Sequence, residues 1–411
     1  MDLTAKKIIL GMTGGVACYK VAELTRAFIK AGASVQVVMT QAATQFMTPI
    51  TMQALSGHPV YVDQWDARID NNMPHIDLTR DADAILIAPC SADFMSKLAH
   101  GACNDLLSTL CLARPMRLPL LIAPAMNVEM WQSPATQRNV QQLKADHIHI
   151  LGPDAGEQAC GETGMGRMLE PEQLLEQVIA LFQPKVLANQ RVLITAGPTF
   201  EPIDPVRGLT NLSSGKMGFA IARAARQAGA DVTLVSGPTA LQTPCGVYRI
   251  NVQTAEQMHD VVMSRVNTKE IFIAVAAVAD WRIANISEQK IKKDIHGKVP
   301  TLQFVQNPDI LAEVAALPNP PYCVGFAAES ENLLQYGEAK RKKKNIPLLV
   351  GNIGPQTFGK DQNELMLFDA NGQTYFPRAN KHELARQLIA AIAARLAPHH
   401  EQNSNTLQSS L

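Results

Sequence analysis

Short apolar runs closed by glycine, proline or a small polar residue alternate along the first half of the chain with longer amphipathic stretches. Residues 6–15, KKIILGMTGG, read as a strand entering a glycine turn, and Val16 to Lys30 as the helix that follows. AGASVQVVMT (31–40), DAILIAPCSA (83–92) and LPLLIAPAMN (118–127) are further apolar strands with helical stretches between them. Strands apolar at nearly every position, each followed by a helix, predict a parallel sheet covered on both faces.

The pattern then begins again. FQPKVLANQ (182–190) is polar and contains a proline, and 183–190 reads as a linker. RVLITAGPT (191–199) repeats the strand and turn of the N-terminus, and AGADVTLVSG (228–237) echoes 31–40. Between them lies an extra loop, FEPIDPVRGLTNLSSGKMG (200–218), which looks functional rather than structural. Further strands are expected at 271–280, 322–330 and 346–352. The fold class is therefore α/β, with two doubly wound parallel-sheet domains, residues 1–182 and 191–396. The remaining stretch, 397–411, is polar and expected to be disordered.

At 411 residues the chain is too long for one hydrophobic core, in keeping with two domains. Lys+Arg and Asp+Glu both number 37, so net charge is zero and gives no electrostatic case for nucleic acid or a membrane surface. The opening MDLTAKKIILGMTGG holds no apolar run long enough for a signal peptide or membrane helix, and a cytoplasmic location is expected. Seven scattered cysteines without a CxxC pair suit a reducing compartment, and six of them read as small buried hydrophobes.

The seventh, Cys160, sits in EQACGETGMGRM (157–168). Each interior glycine costs a helix about 1 kcal/mol relative to alanine, and the stretch is too poor in β-branched residues for a strand. A long mobile loop is expected. Open parallel sheets bind ligands where their strands end, and the unusual stretches of this chain lie there. In GMTGGVA (11–17), Gly11, Thr13, Gly14 and Gly15 would let a mononucleotide phosphate approach the backbone. Thr40 and Ser91 add hydroxyl and amide donors along the same edge, and Asn127 of APAMN (123–127) carries an amide able to hold a carboxylate. MPHIDL (73–78) places His75 just before an expected short strand.

Together these motifs resemble the flavin-containing cysteine decarboxylases: Gly-x-Thr-Gly-Gly, histidine before Ile-Asp-Leu, Pro-Ala-Met-Asn and an Ala-Cys-Gly flap. The second half, with NLSSGKMG (211–218), AVADW (277–281), KIKK (290–293) and NPDI (307–310), is similar to phosphopantothenate–cysteine ligases. The fusion in this order resembles the bacterial bifunctional enzymes of coenzyme A biosynthesis. For the first domain the resemblance implies a flavodoxin-like fold with FMN bound at the residues just named. FMN would oxidise the cysteine moiety of 4′-phosphopantothenoylcysteine, carbon dioxide would leave, and reduced flavin would return hydride to give 4′-phosphopantetheine. His75 matches the base of the oxidative half, Asn127 the residue that orients the substrate carboxylate, and Cys160 the flap acid that protonates the enethiolate. Arg167 would help the flap hold substrate. A closing lid excludes water from a reactive intermediate, and a thiol can act as an acid near neutrality.

For the second domain the resemblance implies a Rossmann-like fold, CTP as co-substrate, an acyl-cytidylate intermediate and Mg2+ to offset triphosphate charge. Asp280 is the candidate for the metal. Asp280, Lys290, Phe326, Lys340 and Lys344 match nucleotide-site residues. Ala274, Val275 and Ala276, with Pro308, Asp309, Ile310 and Leu311, match the backbone-lined walls. Asn211 matches the residue that converts acyl-cytidylate to product, and Lys290 one that supports its formation. The partners implied are 4′-phosphopantothenate, cysteine and CTP, in a homo-oligomer. Gln289 and GNIGPQTFG (351–359) depart from the family pattern. A flavin-binding regulatory subunit without catalysis would not be expected to keep His75, Asn127, Cys160 and a complete ligase half. An FMN-linked prenyl transferase would leave the second half unexplained.

Overall fold

The computed structural model describes residues 2–66, 68, 73–292, 301–329, 333–353 and 360–408, and the chain divides into two units, Met1–Phe182 and Gln183–Leu411. In the first, β1 (Lys7–Met12), β2 (Ser34–Met39), β3 (Ala84–Cys90), β4 (Leu120–Pro124) and β5 (His149–Ile150) form one sheet. Every pairing is parallel and the order is β2-β1-β3-β4-β5, the flavodoxin-like doubly wound arrangement. The helices are α1 (Cys18–Lys30), α2 (Pro49–Ser56), α3 (Pro74–Arg80), α4 (Ala92–His100), α5 (Leu106–Ala113), α6 (Val128–Gln132), α7 (Pro134–Ala145) and α8 (Pro171–Phe182).

The strands are apolar throughout because alternate side chains enter opposite cores. Ile8, Leu10 and Met12 of β1 pack with Val21, Leu24 and Phe28 of α1 and Leu174 and Val178 of α8. Ile9, between them, joins Ile85 and Ile87 of β3 against Phe94 of α4 and Leu107 and Leu110 of α5. Helices begin where a short polar side chain accepts a first-turn amide. Thr48 caps α2, Ser91 caps α4, Asp105 caps α5 and Asn127 caps α6.

Two local expectations are corrected here. PHIDLTR is helix α3 rather than the approach to a strand, with Pro74 fixing the first turn and Asp77 in it. The 157–168 stretch is not a loop throughout: β6 (Asp154–Glu157) and β7 (Thr163–Arg167) pair antiparallel as a hairpin, with Cys160 in its turn. Main-chain pairing holds it where side-chain propensity argues against a strand.

In the second unit the strands are β8 (Arg191–Ala196), β9 (Phe200–Pro202), β10 (Gly208–Thr210), β11 (Asp231–Ser236), β12 (Tyr248–Asn251), β13 (Ile271–Ala274), β14 (Trp281–Ile283), β15 (Phe304–Gln306), β16 (Tyr322–Glu329), β17 (Leu348–Ile353), β18 (Gln362–Asp369) and β19 (Gly372–Asn380). The helices are α9 (Lys216–Gln227), α10 (Ala255–Met263), α11 (Ile310–Ala315), α12 (Leu333–Lys343) and α13 (Lys381–Gln408). The main sheet runs β12-β11-β8-β13-β16-β17-β18-β19. Its first six strands are parallel in the Rossmann order. β18 and β19 extend it antiparallel at one edge, which the sequence reading did not foresee. Val192, Ile194 and Ala196 of β8 face the core under α9 and α13, and Leu193 faces the one that holds Met258 of α10 and Ile310 of α11.

The stretch read as a linker is part of this unit. Leu187 is buried in its core and its amide donates to Ala228 O, while Lys185 Nζ reaches Gln227 O. The backbone of 397–408 continues α13. Polarity argues against a packed core there, not against a helical backbone.

Candidate active sites

Both sites are built where parallel strands end. In the first unit the turn after β1 is pinned before any ligand arrives. The Thr13 hydroxyl, buried, donates to Pro89 O at 2.7 Å and accepts from Ser91 N at 2.9 Å, joining the ends of β1 and β3. Thr40 Oγ1 accepts from Ala43 N, and Ser91 Oγ accepts from Phe94 N. These hydroxyls therefore shape the edge as much as they offer donors to it. Gly11 serves packing: a Cβ there would lie 2.5 Å from Ile87 Cδ1 and 2.7 Å from Leu107 Cδ1. Gly14 lies against Ala42, whereas a Cβ on Gly15 would meet only Pro89 Cγ, at 3.9 Å.

Gly15 begins a cavity of about 580 Å³, within the usual range for small-molecule sites. Asn127, Cys160 and Arg167 line it together. Lys20, also on its wall, was missed by sequence reasoning, which treated α1 as a plain amphipathic helix. Lys20 Nζ lies 2.8 Å from Glu170 Oε1, and Arg167 Nη2 2.6 Å from the same oxygen. Burial pushes the Glu170 carboxyl up, but the two cations pull it below its ordinary value. Lys20 and Arg167 are thus cationic groups on a wall that also carries Glu157.

Two flap glycines, Gly164 and Gly166, allow close approach, whereas Gly161 supplies a left-handed turn residue (φ +84). A Cβ on Gly164 would lie 2.7 Å from Val128 Cγ2, and one on Gly166 (φ +139) 2.3 Å from Met126 O. Gly166 O accepts from Met126 N, and Gln158 Oε1 from Val128 N. Asn127 Oδ1 accepts from Met130 N at 3.0 Å, and its Nδ2 donates to Glu162 Oε2 at 3.3 Å. His75 is half-buried in the first turn of α3 and is not among the cavity-lining residues.

All seven cysteines are free. Burial pushes Cys18 up to about 11 and Cys111 and Cys323 up to about 12, which leaves them inert thiols. The expectation of six buried cysteines holds for these three and Cys90; Cys103 is exposed and Cys245 half-buried.

In the second unit a cavity of about 200 Å³ opens where β13 and β16 end. Ala274, Ala276, Asp280, Pro308, Asp309, Ile310, Leu311, Phe326, Lys340 and Lys344 line it. Lys344 Nζ reaches both Asp309 oxygens, at 2.7 and 2.8 Å. Burial alone would raise the Asp309 carboxyl, but Lys344 and the Ala312 amide bring it below its ordinary value. Asn307 begins the NPDI motif. It is buried and donates to Ala279 O at 2.8 Å, while its backbone amide donates to Asp280 O at 2.9 Å. It thus fixes the loop that presents Asp280.

Three expected residues stand off the cavity wall. Val275 packs against the core. Asn211 Nδ2 donates to Ala277 O at 2.7 Å, between two wall residues. Lys290 is exposed, and its neighbour Ile291 is tied to the inserted hairpin through Asp204 and Arg207. The Arg207 guanidinium holds the buried Asp204 carboxyl far below the carboxylate range. Lys293 and residues 354–359 lie outside the described residues. Among the described residues there is no group of three or more His, Cys, Asp or Glu able to hold a metal, and no helix long and apolar enough to cross a membrane.

Residues 1–183 match the family described as Flavoprotein, and residues 187–396 the DNA/pantothenate metabolism flavoprotein C-terminal domain. The chain is 50% identical over 395 residues to the coenzyme A biosynthesis bifunctional protein CoaBC of Vibrio cholerae, covering 95% of this chain and 98% of that one. It is 46% identical over 401 residues to the protein of the same name from Escherichia coli K12, covering 96% and 98%. The solved C-terminal domain of a coenzyme A biosynthesis bifunctional protein CoaBC is 35% identical, with TM-score 0.46, covering 52% of this chain and 99% of that one. The family matches, on sheets of flavodoxin-like and Rossmann order, define a flavoprotein unit followed by a unit of pantothenate metabolism. The chain belongs to the family of coenzyme A biosynthesis bifunctional proteins, and it is an enzyme with two activities, a decarboxylase and a ligase.

Proposed function

We propose that the second unit joins 4′-phosphopantothenate to cysteine at the expense of CTP, and that the first decarboxylates the resulting 4′-phosphopantothenoylcysteine to 4′-phosphopantetheine with FMN. The observation that carries the reading is the single cavity where Asn127 and Cys160 face the glycine turn after β1. FMN fits that edge, because Gly15 leaves room for a phosphate against the backbone and Lys20 and Arg167 add positive charge. When bound, it supplies the two-electron acceptor and donor that the chemistry needs.

The chain's own residues do the rest. The Asn127 amide, fixed by its bond to Met130 N, orients the substrate carboxylate through Nδ2. The thiol of Cys160, carried on the hairpin turn, delivers the last proton to carbon. His75 keeps its role as base on the resemblance alone, since α3 does not line the cavity. In the second unit Lys340 and Lys344 counter the triphosphate charge, and Asp280 is the carboxylate available to Mg2+. A lone carboxylate is enough where phosphates complete the shell. Asn211, held one residue from the wall, serves the attack of the cysteine amine on the acyl-cytidylate. The enzyme works as a cytoplasmic homo-oligomer.

Pure protein incubated with 4′-phosphopantothenate, cysteine, CTP and Mg2+ should form 4′-phosphopantetheine, read by mass spectrometry. Accumulation of neither the intermediate nor the product would overturn the proposal.

A further inference from the structure

Glu162 touches both Asn127 and Cys160. Its Oε2 accepts from Asn127 Nδ2 at 3.3 Å and lies 3.4 Å from Cys160 Sγ. Asn127 and Cys160 come from different elements, the cap of α6 and the turn of the β6–β7 hairpin, so one carboxylate joins the cap to the flap. The other face of the Asn127 amide is committed to Met130 N, which leaves Nδ2 as the donor for an incoming carboxylate.

We propose that Glu162 is a positioning residue that occupies the substrate-carboxylate position on Asn127 while the site is empty and is displaced by the carboxylate of the substrate. The inference rests on the decarboxylase reading of the first unit. At this exposed position the amide N–H can bond either to water or to a carboxylate, and Glu162 supplies a charged acceptor from the flap itself. Substrate brings its own carboxylate and takes the amide over. Decarboxylation removes that carboxylate as carbon dioxide, so the amide is again without an anion while the decarboxylated intermediate is still bound. Glu162 then returns to it and draws Cys160, two residues away on the same turn, back beside the ligand at the step that needs its proton. The exchange gives the flap a reason to sense whether carbon dioxide has left.

The contrast between two ligands tests this. The substrate 4′-phosphopantothenoylcysteine has the carboxylate and the product 4′-phosphopantetheine lacks it, so only the former competes with Glu162. In Glu162→Ala the KM for substrate should fall about 3- to 10-fold, the range expected for losing one charge-assisted competitor. Product affinity, measured by titration monitored through flavin absorbance, should stay within about twofold, and kcat should fall because Cys160 loses its guide. Glu162→Gln keeps the length and a neutral acceptor and should lie between Ala and wild type; Glu162→Asp should restore part of the effect. A merely structural flap residue would weaken substrate and product alike. Equal weakening of both ligands, or no change in either, overturns the latch. Wild-type protein that fails to decarboxylate at all would instead overturn the underlying reading.

Discussion

Thr13→Val isolates one buried hydroxyl at the edge of the flavoprotein unit. The side chain is 2% exposed, and valine nearly matches its shape, so the change removes polarity with little cavity. Ser91 N–H loses its acceptor at 2.9 Å, and Pro89 O loses a donor at 2.7 Å but keeps the Thr13 N–H at 3.3 Å. An orphaned buried donor costs about 1–3 kcal/mol and a half-satisfied carbonyl less, so about 2–3 kcal/mol is expected in total. In a unit of this size each kcal/mol moves the midpoint by about 2–4 °C, giving a fall of roughly 4–12 °C. Calorimetry of the full chain should resolve the unit by the transition that added FMN raises. Thr13→Ser is the control: it keeps the hydroxyl and loses one methyl, worth about 1 kcal/mol. Because Thr13 ties the ends of β1 and β3, the valine variant should also retain less flavin on gel filtration. A valine variant as stable as wild type, or no worse than serine, would refute the reasoning.

Three further outcomes are expected. Cys160→Ser should release carbon dioxide but accumulate an enethiol two hydrogens lighter than 4′-phosphopantetheine, since serine is a far weaker acid; full turnover to product would remove the thiol from its role. Asn211→Asp sets a carboxylate against Ala277 O and should let acyl-cytidylate form while slowing its conversion to amide, followed by quenched-flow mass analysis. Asp309 titrates below its ordinary value near 3.8, so its pair with Lys344 is at full strength above that pH and is lost as pH falls through the depressed native value. Denaturant midpoints at about pH 5 and pH 3 should therefore diverge more in wild type than in Asp309→Asn; parallel behaviour would exclude the pair as a source of acid sensitivity.

The layer structure was legible because buried parallel strands leave a strong mark. Runs such as IILGM and AILIAP are apolar on both faces, and their shortness, β-branched residues and flanking Gly or Pro separate them from a buried helix. The antiparallel edge was harder to read. β19 is exposed along most of its length, and Tyr375 and Arg378 on it carry no core pattern. His75 was misplaced for a different reason: MPHIDL is too short to show a period, and proline at a first turn is as compatible with a helix start as with a break.

The flap illustrates what composition cannot decide. Glycine signals either freedom or close approach, and in 157–168 only the neighbours tell which: Gly164 and Gly166 sit where Val128 and Met126 leave no room for a Cβ. The same limit applies to charge. The donors and cations assigned to ligand in the proposed function are paired here with carboxylates of their own chain: Glu162 on Asn127, Glu170 between Lys20 and Arg167, Asp309 on Lys344. Two of these reach 35 residues along the chain and Lys20 to Glu170 spans 150, so no local motif encodes those three; only Arg167 to Glu170 is local. A sequence names the residues that bind ligand; the fold alone decides which side chains stand in for it, and those stand-ins set how much binding energy each ligand must give up on entry.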